Sequence, residues 1–322
     1  MSIWLVTALV LVVGCERGDR HSKVVAAVAV TAEPQITLQK RIAFAAGADV
    51  RGLSGLASGD GGVIWAVPER DRFVVSLRAV GERIEIEEML RLDGVPPGWD
   101  TESIAYLGDG KFVFGTETQT ARSQDELLLA ERAASTVTVT DRIVLNYDLW
   151  GIEGSVNHGI EGLCVDGDSL FVGVETAIRI EGHRLAPVAR YQRTTSEWTA
   201  FRVRLHTETG LVSALLCRSV QGQDEIELFA IERHYGVAVL LRFLLPRVGG
   251  GGDVGSEVIA NLGDLVVGIP NMEGLVELSE REIGIVVDND TGGVSGPNEM
   301  IILRLGASRG ARNPPASVDS SR

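Results

Sequence analysis

The sequence predicts an all-β protein, a β-propeller built of four-stranded blades. Three observations carry this, the first two being a short pattern that recurs five times along the chain and β-branched, apolar runs separated by turn residues between the recurrences. The third is glycine, 38 of 322 residues, or roughly 12% against a usual share near 7%. Glycine at that density without a collagen period implies many tight turns, hence many short strands.

Each recurring unit has a small turn, Glu-Gly-Leu or a variant, a polar turn, and an apolar strand that closes on an acidic residue. The units are Leu53-Ser54-Gly55-Leu56 closing at Glu69, Thr101-Glu102-Ser103-Ile104 closing at Glu117, and Ile160-Glu161-Gly162-Leu163 closing at Glu175. Val212-Ser213-Ala214-Leu215 closes at Glu232, and Met272-Glu273-Gly274-Leu275 closes at Asp288. The anchors at 54, 102, 161, 213 and 273 are spaced by 48, 59, 52 and 60 residues. Anchor and closing acid lie 15, 15, 14, 19 and 15 residues apart, the fourth unit being lengthened at Gln221–Glu225.

Between anchors, RFVVSLRAV, RIEIEEMLRL, TVTVTDRIVLNY, FRVRLHTE and VAVLLRFLL read as strands. About four strands per interval of roughly 50 residues is the plan of a propeller blade. Five anchors imply five blades, or six if one interval is divided differently. SQDELLLAERAA reads as a short helix. ITLQKRIAF, or VVAAVAV before it, supplies an outer strand beside IILRL at 301–305, so that first and last strands join and no free edge remains. The propeller is expected over 37–306, after a tether at 16–36 and before a polar, disordered tail at 307–322.

Thirty basic residues against 44 acidic ones give a net charge of −14. That balance excludes a nucleic-acid binder and a basic membrane-surface protein, and it suits a cation. No glycine-rich nucleotide fingerprint opens a helix, and Gly249–Gly252 reads as a surface loop. Gly-x-Ser-x-Gly and the Arg-His-Gly signature of histidine acid phosphatases are both missing from the sequence.

Residues 3–14, IWLVTALVLVVG, form an apolar run of 12, too short for a bilayer span of about 20. It fits the apolar region of a secretory signal. The run ends at Val13-Gly14-Cys15 and turns polar at Glu16, in the manner of a lipobox, although no Lys or Arg precedes it. Cys15 is therefore the expected lipidation site, with the protein exported and anchored in a bacterial cell envelope; plain secretion or a periplasmic address is the alternative. The two other cysteines, Cys164 and Cys217, have no metal-ligand spacing and are expected to be buried free thiols.

In a propeller the first strand of each blade lines the channel, so equivalent residues converge on one mouth. Glu102, Glu161 and Glu273 are such equivalents, with Ser54 and Ser213 in the same slot of the other two units. Three carboxylates on one axis repel unless a cation or shared protons sit among them, and hard oxygen ligands suit Ca2+. Asn157 and Asn271 could add neutral ligands; the alternative is that each Glu caps the turn before its strand. Glu175, Asp288 and Asp290 are further candidate ligands. His158, His234 and Arg233 are candidate catalytic groups, and Arg51, Arg70 and Arg72 could help hold an anion. Glu232 and Arg233 could also form a simple pair within one blade.

At these units the sequence resembles the phytase-like family, described as having esterase-like activity of phytase. The motifs are GLSGLA at 52–57, DTESIA at 100–105, NHGIEGL at 157–163, FAIERHYG at 229–236, and NMEGL followed by VVDND within 271–290, in family order over about residues 44–305. The resemblance implies an exported bacterial propeller and, if catalytic, a metal-assisted phosphomonoesterase or esterase. Related propellers that share the Glu-Gly-Leu pattern look like calcium-binding or surface proteins without proven catalysis. Two positions depart from the family pattern. Val67-Pro68-Glu69-Arg70-Asp71 replaces the usual Ser-Asp-Asp-Arg, and Ser103 follows Glu102 where Gly is usual. The resemblance therefore does not carry a site role over to the first-blade acids. The competing function is a non-catalytic, monomeric envelope propeller that binds a small molecule or protein on one face.

Overall fold

A computed structural model describes residues 36–44, 50, 52–118, 123–154, 158–219, 222–234, 236–288 and 298–306. Among these, helix is confined to two 3-10 turns and one four-residue α-turn, and no helix is long and apolar enough to cross a membrane. All other regular structure among the described residues is strand. Cys15, Arg51, Asn157, Asn289, Asp290, the expected tether up to 35 and the tail from 307 lie outside the described residues.

Strand β1 (Ile36–Phe44) comes first and begins one residue before the expected propeller. Four consecutive strands follow as an antiparallel meander: β2 (Leu53–Ser58), β3 (Ile64–Pro68), β4 (Phe73–Val80) and β5 (Arg83–Asp93). The second meander is β6 (Trp99–Gly108), β7 (Lys111–Thr118), β8 (Gln124–Ala133) and β9 (Thr136–Asn146). The third is β10 (Ile160–Asp166), β11 (Ser169–Val174), the short β12 (Ile178–Ile180), β13 (His183–Gln192) and β14 (Glu197–Arg204). The fourth runs β15 (Leu211–Arg218), β16 (Glu225–His234), β17 (Val237–Pro246), β18 (Gly252–Val254) and β19 (Glu257–Asn261), with β18 paired in parallel to β14. The fifth consists of β20 (Met272–Ser279), β21 (Glu282–Val287) and β22 (Glu299–Leu305), completed by β1 from the start of the chain. That closing pair runs antiparallel from Ile36 opposite Leu305 to Ala43 opposite Glu299, and Arg41 holds the Glu299 carboxylate with both Nε and Nη2.

The first strands of the five meanders, β2, β6, β10, β15 and β20, touch in cyclic order, β20 returning to β2. The hydrophobic core is divided in the same way. It falls into five clusters, each between consecutive meanders: Trp65 and Phe114 between the first and second, Ile160 and Leu145 between the second and third, Phe201 and Leu228 between the third and fourth. Ile231 packs with Ile285 between the fourth and fifth, and Met300 with Leu56 between the fifth and first. Sheets packed face to face around an axis in this way give a propeller-like, all-β fold.

Two expectations are corrected. SQDELLLAERAA is strand β8, not helix, because a middle strand of such a sheet is covered on both faces and loses its period-2 alternation; Leu127 and Leu128 are adjacent and both fully buried. Cys164 and Cys217 are not free thiols: they form a disulfide, with Cα atoms 5.5 Å apart, that ties β10 to β15. The expected glycine loop also ends sooner than read, since Gly252 already belongs to β18.

Candidate metal centre at the channel mouth

All five anchors share one backbone device. In each inner strand the register slips at the anchor: between Leu53 and Gly55, Thr101 and Ser103, Ile160 and Gly162, Val212 and Ala214, and Met272 and Gly274. Ser54, Glu102, Glu161, Ser213 and Glu273 are therefore bulged residues, left out of the ladder so that a side chain can be re-aimed. All five are buried. The next residue in each strand is small because neighbouring inner strands nearly touch. A Cβ on Gly55 would stand 2.8 Å from the Ile104 backbone nitrogen, and one on Gly162 would stand 2.6 Å from Leu215 Cγ. Hydroxyls bind inner-strand carbonyls of the neighbouring meander: Ser54 donates to Glu102 O at 2.6 Å, Ser103 to Ile160 O at 2.6 Å, and Ser213 to Met272 O at 3.1 Å. One residue further on, Leu56, Ile104, Leu163, Leu215 and Leu275 are all buried around the axis, where the remaining void is only about 10 Å³.

The closing residues form a second ring beside the anchors. Glu69, Glu175 and Asp288 each donate a backbone N–H to the carbonyl two residues before the anchor, Gly52, Gly159 and Asn271 respectively, and Glu117 lies opposite Asp100 in the same position. In the fourth meander Val212 pairs with Glu232 and Leu211 with Arg233, so the equivalent residue is Arg233, not Glu232. This corrects the sequence alignment by one residue. Glu232 turns to the other face of the strand, fully buried, and accepts from His206 N at 2.9 Å, Thr207 N at 2.8 Å and Thr207 Oγ1, organising the loop before β15. Arg184 lies 3.8 Å from it. Glu232 and Arg233 are not a pair: Arg233 reaches the next meander and grips both oxygens of Glu273, at 2.5 and 2.6 Å, while Asn271 Nδ2 donates to the same carboxylate.

The carboxylates thus divide. Glu273 is held by Arg233 and Asn271. Glu102, Glu117 and Glu161 offer oxygens that all lie within 4.8 Å of one another, and so do Glu69, Asp100 and Glu102. Of the three expected ligands, the structure brings Glu102 and Glu161 together and leaves Glu273 outside both groups. None of Glu102, Glu117 and Glu161 has an ion-pair partner among the described residues. Glu69 pairs with the exposed Arg70 at 2.9 Å.

This crowding moves the acids' titration. Burial, then the charges of Glu117, Glu69 and Glu273, push Glu102 well above the usual carboxylate range, against a 3.0 Å hydrogen bond from Ser54. Burial and Glu102, Glu175 and Glu117 do the same to Glu161. Burial, Glu69 and Asp100 raise Glu117 to about 7, and burial raises Glu175 to about 8 with Glu273 and Glu117 adding to it and Arg233 opposing. Burial raises Glu273 despite Arg233. For Arg233 burial disfavours the charge, but Glu273, Glu175 and Glu161 outweigh it and hold the guanidinium charged.

Among the candidate catalytic groups, His158 stands at the mouth, its Nδ1 against the Glu175 carbonyl and 3.8 Å from the Glu175 carboxylate. His234 is exposed at the end of β16, opposite Val237. Arg72 donates to the Trp99 carbonyl, so it serves the backbone. Sequence reasoning missed Asp100 and set aside Glu69. The signal for Asp100 was its place two residues before an anchor, in the DTESIA segment, where a loop residue was expected but β6 has already begun.

The chain matches the family described as "Phytase-like: Esterase-like activity of phytase" over residues 48–291 and belongs to it. No curated protein matches the chain. Among solved structures it is similar to a PQQ-bound aldose sugar dehydrogenase of Streptomyces coelicolor, at 12% identity and a TM-score of 0.49, over 85% of this chain and 100% of that one. It is also similar to the native arabinanase Arb43A of Bacillus subtilis, at 9% identity and a TM-score of 0.46, over 80% and 94% of the two chains. At such identities neither activity transfers to this chain.

Proposed function

We propose that the chain is a five-bladed propeller, exported and lipid-anchored through Cys15, that holds a divalent cation at its acidic mouth and hydrolyses a phosphomonoester or ester there. The observation that carries the site is the trio Glu102, Glu117 and Glu161: three buried carboxylates within 4.8 Å and no ion-pair partner for any of them among the described residues. Calcium fits the donor set. It takes six to eight hard oxygen ligands, carboxylates among them, in a flexible geometry that three converging glutamates can begin to fill. The cyclic contact of five inner strands and the five cores between meanders support the reading of five blades. The Cys164–Cys217 disulfide supports an oxidising, exported location.

A bound divalent cation supplies polarisation of a phosphoryl or acyl oxygen and a water of lowered pKa. Glu102 and Glu161 hold it from bulges that fix their direction. Glu175, whose carboxyl burial pushes up to about 8, stands with His158 where a proton can be given to a leaving group. Arg70, largely exposed beside Glu69, is placed to meet an incoming anion.

The test is turnover of phytate, an aryl phosphate and an aryl ester by purified protein, with calcium or with chelator, alongside thermal melting. Calcium is expected to raise the melting temperature, since a ligand at a hundredfold excess over Kd stabilises by about 2.7 kcal/mol. Glu161→Gln should remove most of that rise. Equal melting with calcium and with chelator overturns the metal site. A calcium-dependent melt without turnover on any substrate marks the alternative, a non-catalytic envelope propeller that binds its ligand at this mouth.

A further inference from the structure

We infer that the mouth holds two adjacent cations bridged by the Glu102 carboxylate, a second subsite being formed by Glu69 and Asp100. This rests on the cation reading of Glu102, Glu117 and Glu161 and extends it across the first two meanders. The two groups of clustered oxygens, Glu69–Asp100–Glu102 and Glu102–Glu117–Glu161, share Glu102 alone. Glu102 is suited to bridging. It sits at a bulge, and Ser54 donates to its Oε2 at 3.0 Å, while no hydrogen bond from the described residues engages Oε1.

Asp100 provides the independent observation. It is 9% exposed, its carboxylate faces Glu69 and Glu102, and it has neither a hydrogen bond nor an ion pair among the described residues. A buried carboxylate without a partner is costly. It also lies directly opposite Glu117 across the β6–β7 ladder, where like charges destabilise a sheet. Among the described residues only Arg70, exposed and paired with Glu69, acts against these burdens, and a cation between Glu69, Asp100 and Glu102 relieves both. Cations that share a carboxylate lie close enough to grip two oxygens of one substrate group, the arrangement of two-metal hydrolytic sites.

The experiment counts calcium bound per chain, by equilibrium dialysis with metal analysis and by calorimetric titration, on the full chain. Wild type should bind two. Asp100→Asn should bind one, Glu117→Gln should bind one, and Glu102→Gln should weaken both sites at least tenfold. Glu69→Gln serves in place of Asp100→Asn if the latter fails to fold, as judged by circular dichroism. One calcium in wild type overturns the bridged pair and leaves the single site standing. No calcium in wild type overturns both. Two calcium ions in wild type with an unchanged count in both Asp100→Asn and Glu69→Gln place the second ion elsewhere and overturn the assignment.

Discussion

Arg233 shows what one residue decides at this mouth. It takes a ring position that is acidic in the other four meanders and neutralises Glu273 from the neighbouring one. Arg233→Gln leaves that carboxylate buried beside Asn271 alone, and an unpaired buried charge costs about 3–5 kcal/mol. Glu273 can escape the cost by keeping a proton, so urea melts should show a loss that is small near pH 5 and grows toward pH 8. The wild-type acids carry their own pH signature. Glu117 and Glu175 have folded pKa values of about 7 and about 8, raised above the unfolded value, so the native state binds more protons than the unfolded one in that range. Stability in chelator is then fully present below the unfolded value near 4.5 and is lost as pH rises through 7 and 8. Melting temperature against pH should fall in chelator and flatten in calcium; a rise with pH in chelator would contradict the burial of these acids.

The residue scale is also where the sequence was hardest to read. Glu232 and Arg233 are adjacent, and alternation sends one to the loop before β15 and the other to the mouth. The lengthened turn of the fourth unit shifts the count by one, and nothing in the one-dimensional pattern reveals which of two neighbours faces the axis. Asp100 was hidden for a related reason, since an acid before a Thr looks like a turn until the strand is seen to begin at Trp99.

At the scale of the element, the inner strand was legible and its neighbours less so. The Glu-Gly-Leu repeat marks the bulge, the close approach and the apolar residue that follows, three demands of one geometry. The closeness can be tested directly. Gly55→Ala places a methyl group 2.8 Å from backbone atoms of β6, which cannot swing aside as a side chain would, and should cost about 1–3 kcal/mol by denaturant melts. Gly61→Ala meets no atom within 4 Å, but its φ of 65° makes it a control for turn strain and not for crowding. The disulfide left no trace in the sequence because cysteines 53 residues apart carry no spacing signal, and the two inner strands that bring them together are neighbours only in the folded ring. Loop-closure entropy for that separation gives about 4 kcal/mol, so reduction or Cys164→Ala with Cys217→Ala should lower the unfolding free energy by about 2–4 kcal/mol. An unchanged melt under reductant would show that the bridge constrains nothing.

For the whole molecule, the joining of chain start to chain end is the feature on which integrity rests. It was legible in ITLQKRIAF and IILRL, two apolar, β-branched runs that lie before the first repeat and after the last. Without β1, strand β22 exposes a ladder edge, and Ile36 and Ile42 leave the clusters beside the fifth meander. A chain that starts at residue 45 should aggregate or melt well below the intact protein, and adding a peptide of residues 36–44 should recover part of the loss. The division of the core into five interfaces was legible as a count of anchors, and its cyclic order as the propeller plan itself, in which consecutive units are neighbours and the last returns to the first.

The five buried residues Leu56, Ile104, Leu163, Leu215 and Leu275 have a consequence for traffic through the molecule. With a void of only about 10 Å³ between them, the axis is a blind alley and not a corridor. The cavity of about 230 Å³ lined by Cys164 and Cys217 abuts the same five side chains. Whatever reaches the carboxylates must back out by the door it came in through, so departing and arriving molecules queue at one threshold.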